Sequence, residues 1–544
     1  LIERQTGIEV SPEATAEQGV ARSPTAVCAL VGRALRGPVN RPVAVHSFAE
    51  YQRVFGGLWQ PSPLSYAVEQ FFDNGGSTAV VVRVVNGARP VTLSLPCGDG
   101  TLTLAAVAPG TREFLRAAVD YDGIADNETD RFNLVLQRLR APASEHIEDQ
   151  EIYRRVSVQP DASRFVAAEL AESGLARVRG AVPAGRPLST LRADGRSPAG
   201  YVAANNDGDD GDPITDYDVI GSAAEARGIF ALAAGPAFNF LYIPPLARDR
   251  DAGPSTLLVA NRFCREQWAM LVVDPPAAWD SAPAALAGLR EWPFHSEHAL
   301  MFFPRMLAFD KLRGRFETFA AGGAVAGMLA RADAAFPVWS AAQADESILR
   351  PGFRPLCVVS AQERARLASA GVNVLLAVRP TAAQGPTLPR TLAGPTAQLP
   401  SARWLGAKRL ALFVVRSVER GTRWMLFERS EPATWRRATL QLQRFFAALE
   451  AEGAFADHAP GERWFVVCDE RVNREHERSR GIVNVLFGIA AGRSGEYQSW
   501  LVTQRAGGAR IQSVTLNRLR VDDRCPSPAI DAQLIDELVG RSVA

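Results

Sequence analysis

Lysine is almost missing from this chain. Only Lys311 and Lys408 occur among the 60 basic residues, and the rest are arginine. Arginine's planar fork suits interfaces, because it can make two hydrogen bonds to one carboxylate. Coding bias in a GC-rich genome is the simpler source of the imbalance. Cysteine is also sparse, with 6 in 544 residues and no CxxC pair. That argues against a disulfide framework and for buried free thiols at Cys28, Cys357 and Cys468, which lie in apolar runs. No apolar run approaches the roughly 18 residues of a membrane span, and no signal peptide is visible. The net charge is +1, so no global field points to nucleic acid or to membrane insertion. GxxxxGKS/T, GxSxG, GxGxxG and HExxH are all absent. The familiar phosphate, acyl-transfer and zinc-hydrolase motifs therefore give no foothold.

What is present is apolar material, 47% of 544 residues. A chain of this size exceeds one core and should form about two to four domains. It opens at Leu1 instead of Met, so further residues are expected upstream. The most patterned stretch is 26–85. An apolar run from Ala26 to Val31 and a short one at 43–45 read as strands. Ser47 can cap a helix through Phe48, Tyr51 and Val54 that Gly56-Gly57 ends. A second helix from Ser65 buries Ala67, Val68, Phe71 and Phe72, and 78–85 reads as a buried strand.

On either side the character changes. Residues 1–23 hold too little apolar surface to fix themselves in a core, but contain two β-compatible pieces, Leu1-Ile2-Glu3 and Gly7-Ile8-Glu9-Val10. Such an arm can become ordered by adding a strand to another chain's sheet. Residues 90–200 read as an α+β unit, with a hairpin turning at Gly98-Asp99-Gly100 and a helix from Ala162. From 216 to 378 strands and helices alternate, as in a helix-covered α/β sheet. Its strands are expected at 239–243, 269–273, 299–303, 356–359 and 373–378. Beyond a Pro/Gly-rich stretch at 381–400, helices are expected at 404–420 and 432–452. Strands follow at 464–468, 482–489 and 497–503, then an alternating strand around 511–518 and a short helix from Asp531.

The stretches "VGRALRGPVNRPVAVHSFAEYQRVFGGL" and "YAVEQFFDNGGSTAVVVRV" closely resemble the start of contractile-tail sheath proteins. These form the sleeve around phage tails, tailocins and bacterial injection machines. "LIERQTGIEV", "FNFLYIPPL", "LVVDPPAAW", "AGGAVAGMLARAD", "GVNVLL" and "RWMLFERSEPATW" resemble further sheath segments in order, covering about residues 1–505. Two departures stand out. Arg429-Ser430 replaces a Pro-Asn, and Ser340 replaces the usual Lys after Trp339. The resemblance implies a multidomain α/β and α+β chain. It would comprise an exchange arm at 1–21, a middle α/β domain at 22–87 plus 205–380, and an inserted outer α+β domain at 88–204. An inner domain would span 381–505, with a C-terminal extension at 506–544. It implies a structural, non-enzymatic subunit assembled in the bacterial cytoplasm into stacked hexameric rings of a helical sleeve. The sleeve would surround an inner tube, with baseplate and terminator or cap proteins as partners and no cofactor. Strand exchange between subunits would run through Ile2, Glu3, Ile8 and Val10, and through Tyr497, Trp500 and Val502. The helix at 432–452 would face the tube, with Arg437, Gln441 and Arg444 on the side away from its apolar stripe.

Other polar groups are candidate sites. Residues 205–212 and Asp216 and Asp218 are rich in carboxylates, as calcium loops are. The EF-hand template fails, because position six is Asp210 and position twelve is Asp216, so capping and turn roles are expected. Asp274 closes an expected parallel strand, where α/β enzymes place ligands. An enzyme centred there is the rival reading, although no second acid, base or phosphate loop completes the site. His295 and His298 are three apart but lack a third zinc ligand. Gly323 and Gly327 form a GxxxG, read here as a mark of close helix packing. A non-contractile self-assembling shell is the other alternative.

Overall fold

The computed structural model describes residues 19–142, 144–190, 200–340, 348–377, 388–397, 400–455, 463–490 and 497–514. The first apolar run forms β1 (Cys28–Gly32), buried throughout. After β2 (Val43–Val45) comes α1 (Phe48–Phe55), where the Ser47 hydroxyl accepts the Glu50 amide at the N-cap. α2 (Pro63–Asp73) starts behind Ser62, with proline pre-set for the first helical position. β3 (Ala79–Arg83) then pairs parallel with β1, from Cys28 opposite Ala79 to Gly32 opposite Arg83.

The chain next leaves this sheet to build two others. β4 (Thr92–Cys97), β5 (Gly100–Ala106), β6 (Phe114–Asp120), β7 (Arg131–Leu139) and β8 (Ile147–Ser157) precede α3 (Val166–Ala171), β9 (Ala176–Val178) and β10 (Val202–Ala203). They pair as β4-β5-β9 and β10-β6-β7-β8. Alternation along these strands sends Leu93, Leu104, Phe132 and Leu134 into a core of their own, closed by Val166 and Leu170 of α3. The helix expected from Ala162 begins later. Phe165 is held in extended geometry by a bridge to Ser157, so the helical turn starts only at Val166.

After β10 the chain returns to the first sheet. It runs through α4 (Asp216–Ile220), β11 (Phe240–Tyr242), α5 (Pro254–Glu266), β12 (Met270–Val273), α6 (Ala282–Gly288) and β13 (Ala299–Phe303). A hairpin of β14 (Met306–Asp310) and β15 (Arg315–Phe319) follows, then α7 (Gly322–Ala335), β16 (Arg354–Pro355), α8 (Ala361–Ser369) and β17 (Val372–Val374). The completed sheet has seven strands in the order β17-β13-β12-β11-β1-β3-β2, parallel except for β2. Both faces are covered, which explains why its strands read as continuous apolar runs. α7 lies against α2 at close range. A Cβ at Gly323 would sit 2.4 Å from the Ala67 carbonyl oxygen, and one at Gly327 would sit 2.2 Å from that of Phe71. The strand expected at 356–359 does not form. The ladder with β14 stops at Pro355, and Val358 is 95% exposed.

The last part comprises α9 (Leu405–Gly421), α10 (Pro432–Ala451), β18 (Trp464–Val467), α11 (Glu475–Arg478), β19 (Val483–Ala490), β20 (Tyr497–Arg505) and β21 (Gly508–Val514). The four strands form an antiparallel sheet in chain order. β20 and β21 are joined through Ala506-Gly507, where Gly507 takes φ +95°, a geometry that favours glycine. α10 lays Trp435, Leu442, Phe446 and Leu449 on this sheet. α9 serves two cores at once. Leu405 and Leu412 join the core of the parallel sheet, while Leu410, Phe413 and Val414 join that of the antiparallel one. The architecture is thus mixed α/β and α+β, as the pattern of elements predicts.

Candidate functional site

In a doubly wound sheet, ligands sit beyond the carboxyl ends of the strands where the strand order reverses. Here that point lies between β1 and β11, and each expected site group near it is committed to holding the fold. Asp274, just after β12, accepts the Tyr242 hydroxyl at 2.7 Å and the Gly322 amide at 2.9 Å. It therefore ties β12 to β11 and to the start of α7. Enclosure raises its pKa to about 6 and pushes that of Tyr242 well above the usual phenol value. Arg305 is turned onto the Pro275 carbonyl and the Asp251 carboxylate. The space left between Tyr242, Arg248, Arg305 and Phe319 is about 30 Å³. That holds water and not a substrate.

The carboxyl ends of β1 and β3 are plugged by arginine. Arg83 is 1% exposed and donates to the carbonyls of Ala34 (3.0 Å), Gly37 (2.7 Å) and Pro109 (2.8 Å). Burial lowers its pKa to about 10, so it stays charged at neutral pH. Arg33 donates to the carbonyls of Asp210 and Gly211 and lies over the Trp59 ring. Arg36 pairs with Glu148 of β8 at 2.8 Å, both side chains 8% exposed. These contacts clamp the 92–203 segment onto the parallel sheet.

The acidic stretch is spent the same way. Asp207 accepts the Thr92 amide (2.8 Å) and hydroxyl (2.6 Å), and Asp210 accepts those of Thr111 (2.8 and 2.9 Å). Asp209 accepts the Gly211 amide and Arg89, and Asp216 receives the Gly253 amide and the Thr256 hydroxyl. Thr215 and Asp218 form a capping box at the start of α4. Among the described residues, no three potential ligands converge on a metal position. His298 is buried with Nδ1 against the Ala269 carbonyl (3.2 Å); burial, and then the nearby Lys408 charge, lower its pKa to about 3.

On α10 the structure separates the three residues grouped by sequence. Arg437 and Arg444 are exposed, joined on that face by Arg436 and by Leu440, which is 51% exposed. Arg437 pairs with Glu428 at 2.9 Å and lies over the Trp424 ring. Gln441 does not share that face. It is 1% exposed, and its Oε1 accepts the Trp424 indole N–H at 2.9 Å. Position 441 falls in the inward row 434–438–441–445, which a centre drawn on the large apolar residues alone places at the edge of the outer face. Sequence reasoning also missed Phe427, 76% exposed just before Glu428. The i, i+4, i+8 spacing of Arg436, Leu440 and Arg444 could have revealed the rest of the face.

Tyr497, Trp500 and Val502 lie on β20, which is an inner strand. Trp500 pairs with Phe487 of β19 and Ser513 of β21, and Val502 with Val485 and Ile511. Both backbone edges are therefore used within the chain. The outer edges of the described sheet are β18 and β21. Ile2, Glu3, Ile8 and Val10 lie outside the described residues.

No family model matches the chain, and no curated protein matches it. Solved structures do. The sheath tail protein of Listeria innocua superposes with a TM-score of 0.57 at 12% identity, over 90% of this chain and 97% of that one. A sheath tail protein of Desulfitobacterium hafniense gives 0.48 at 13% identity, over 91% and 97%. The sheath complex of an extracellular contractile injection system in its contracted state gives 0.48 at 13%, over 87% and 90%. This chain has the fold of the Listeria sheath tail protein along nearly its whole length.

Proposed function

We propose that this chain is the subunit of a contractile sheath. It would polymerise helically around an inner tube and shorten from a metastable extended state to drive that tube through a target envelope. The observation that carries the reading is the likeness to a sheath tail protein over almost the full length of both chains. The filled strand-end crevice supports it, because the place where an α/β enzyme would work is occupied by Arg33, Arg83 and Asp274 in structural roles. In this reading, residues 22–87 and 205–380 make the middle of the subunit, 88–204 its outer part and 381–505 its inner part. The exposed arginines of α10, Arg437 and Arg444, contact acidic groups on the tube. Baseplate and cap proteins bound the sleeve within a phage-like particle assembled in the bacterial cytoplasm.

The energetics need no bound nucleotide. A sleeve held extended by its tube and baseplate releases free energy when its subunits repack and bury more surface. A few kcal/mol per subunit, summed along a sleeve, is a large total. For that energy to reach the tube, each subunit has to transmit force between its parts. α9, shared between two cores, is suited to this, as are the ties of Lys408 to Glu297 and Arg416 to the Gln267 carbonyl. Electron microscopy of the chain co-expressed with a candidate tube protein tests the reading. Striated sleeves on tubes are expected. Bare tubes beside monodisperse monomers would contradict it.

A further inference from the structure

The hairpin of β14 and β15 has two faces, and only one is covered. Alternation sends Met306, Ala308 and Phe319 into the core of the parallel sheet. The opposite face carries Phe309 and Phe316, which stand across from each other in the ladder. Their rings meet edge to face at 5.7 Å, yet each residue is 51% exposed. Leu312, at the turn, is also half exposed. From β16 the Arg354 guanidinium lies over the Phe316 ring at 5.0 Å. Large apolar side chains gathered in solvent in this way mark a contact surface.

The charge around this face is unbalanced. Arg313 and Arg315 both turn to Glu317, at 3.2 and 2.6 Å, and Arg248 approaches the same carboxylate at 3.7 Å. One carboxylate thus serves three arginines, while a fourth rests on an aromatic ring. Arg248 also has Asp310, and Lys311 has Glu69 at 2.8 Å. The surface that fits this face is apolar and acidic.

The chain carries such a surface itself. Residues 515–544 lie outside the described residues, and the stretch 530–539 holds Asp531, Asp536 and Glu537 with no base. Its sequence predicts a short helix from Asp531, after Pro526 and Pro528 and before Gly540. Ile530, Leu534 and Leu538 then recur at every fourth position in one row, with Asp531 on one side of it and Glu537 on the other. An apolar row with an acid on each flank is the counterpart of an aromatic pair set among arginines. The tether is long enough. The roughly fifteen residues between Val514 and Ile530 span up to about 50 Å, against a radius of gyration of about 24 Å for a folded chain of this length. A short flexible tether also gives an effective concentration of about millimolar, which favours the chain's own hairpin over that of a second copy.

We propose that the hairpin face of Phe309 and Phe316 is the docking site for residues 530–539 of the same chain, with Leu534 and Leu538 on the rings and the three acids toward Arg313, Arg315 and Arg354. The contact stands apart from the sheath reading and forms within a lone subunit.

The test is photo-cross-linking on the full chain, with p-benzoyl-phenylalanine in place of Phe316 and mass spectrometry of the digest. Cross-links should join position 316 to residues 530–539 in species of single-chain mass. Leu534→Asp with Leu538→Asp should lower their yield by about tenfold or more, since burying one leucine is alone worth that factor, and should leave the circular dichroism spectrum unchanged. Arg315→Glu with Arg354→Glu should lower it severalfold. Cross-links only to other parts of the chain, cross-links only between two copies, no cross-link at all, or a yield that neither pair of substitutions moves would each overturn the proposal.

Discussion

Arg409 of α9 and Asp333 of α7 form an ion pair closed off at both ends, with side-chain exposures of 9% and 4%. Arg409 also donates to the Thr25 carbonyl at 3.2 Å, so one guanidinium joins three distant parts of the chain. Removing the acid strands a buried charge, a loss of about 3–5 kcal/mol. Asp333→Ala should lower the urea midpoint accordingly. The double variant Asp333→Leu with Arg409→Met should recover much of that loss, because it leaves no charge unpaired. A single variant as stable as the parent would mean the pair does not tie α9 to α7.

The α2–α7 contact gives a second stability test. Gly327→Ala puts a methyl 2.2 Å from a backbone oxygen that cannot swing aside. Overpacking of this kind costs roughly 1–3 kcal/mol. Gly98→Ala is the control, since nothing lies within 4 Å of its Cβ and its φ is not in the left-handed region. Thermal melts should separate the two variants, and equal melting points would contradict the packing described.

His298 predicts a pH dependence. Its folded pKa is lowered to about 3, whereas an unfolded histidine titrates near 6.5. As pH falls below that unfolded value, the unfolded chain takes up a proton that the folded chain refuses. The stability from this group is therefore present above about pH 6.5 and is lost as pH falls toward 3. Between pH 7.5 and 5 the loss is roughly 2 kcal/mol. Asp274, whose folded pKa is raised, slopes the other way between about pH 4 and 6. The comparison of parent with His298→Gln by urea titration isolates the histidine. A parallel pH profile in the variant would contradict the assignment.

On α10, assembly and stability should separate by residue. Arg437→Glu with Arg444→Glu should leave the melting temperature within a few degrees and weaken sleeve formation on tubes. Gln441→Ala should do the reverse. It leaves the buried Trp424 indole N–H without its acceptor, at about 1–3 kcal/mol. Sleeves unaffected by the double charge reversal would remove α10 as the tube-facing helix.

The stretch 26–85 is legible from sequence because each of its signals acts locally. Ser47 caps, Gly56 stops, and continuous apolar runs mark strands covered on both faces. The signals that mislead are those decided by distant contacts. Val358 sits in an apolar run, yet the short ladder of β16 leaves it in solvent. Gln441 is polar, yet a tryptophan seventeen positions earlier draws it inward. The inner position of β20 depends on β21 folding back beside it, which alternation alone cannot announce. The structural use of the acidic loop is partly legible, since turn and capping roles are expected there and Thr215 with Asp218 caps α4. The threonines that complete it, Thr92 and Thr111, lie about a hundred residues upstream.

Contraction is read from the length and diameter of assembled sleeves before and after mild urea or acid treatment, by electron microscopy. One population that becomes shorter and wider while its striations persist, leaving the tube protruding, is expected. Sleeves that keep their dimensions until they dissolve would contradict it and make the chain a non-contractile shell.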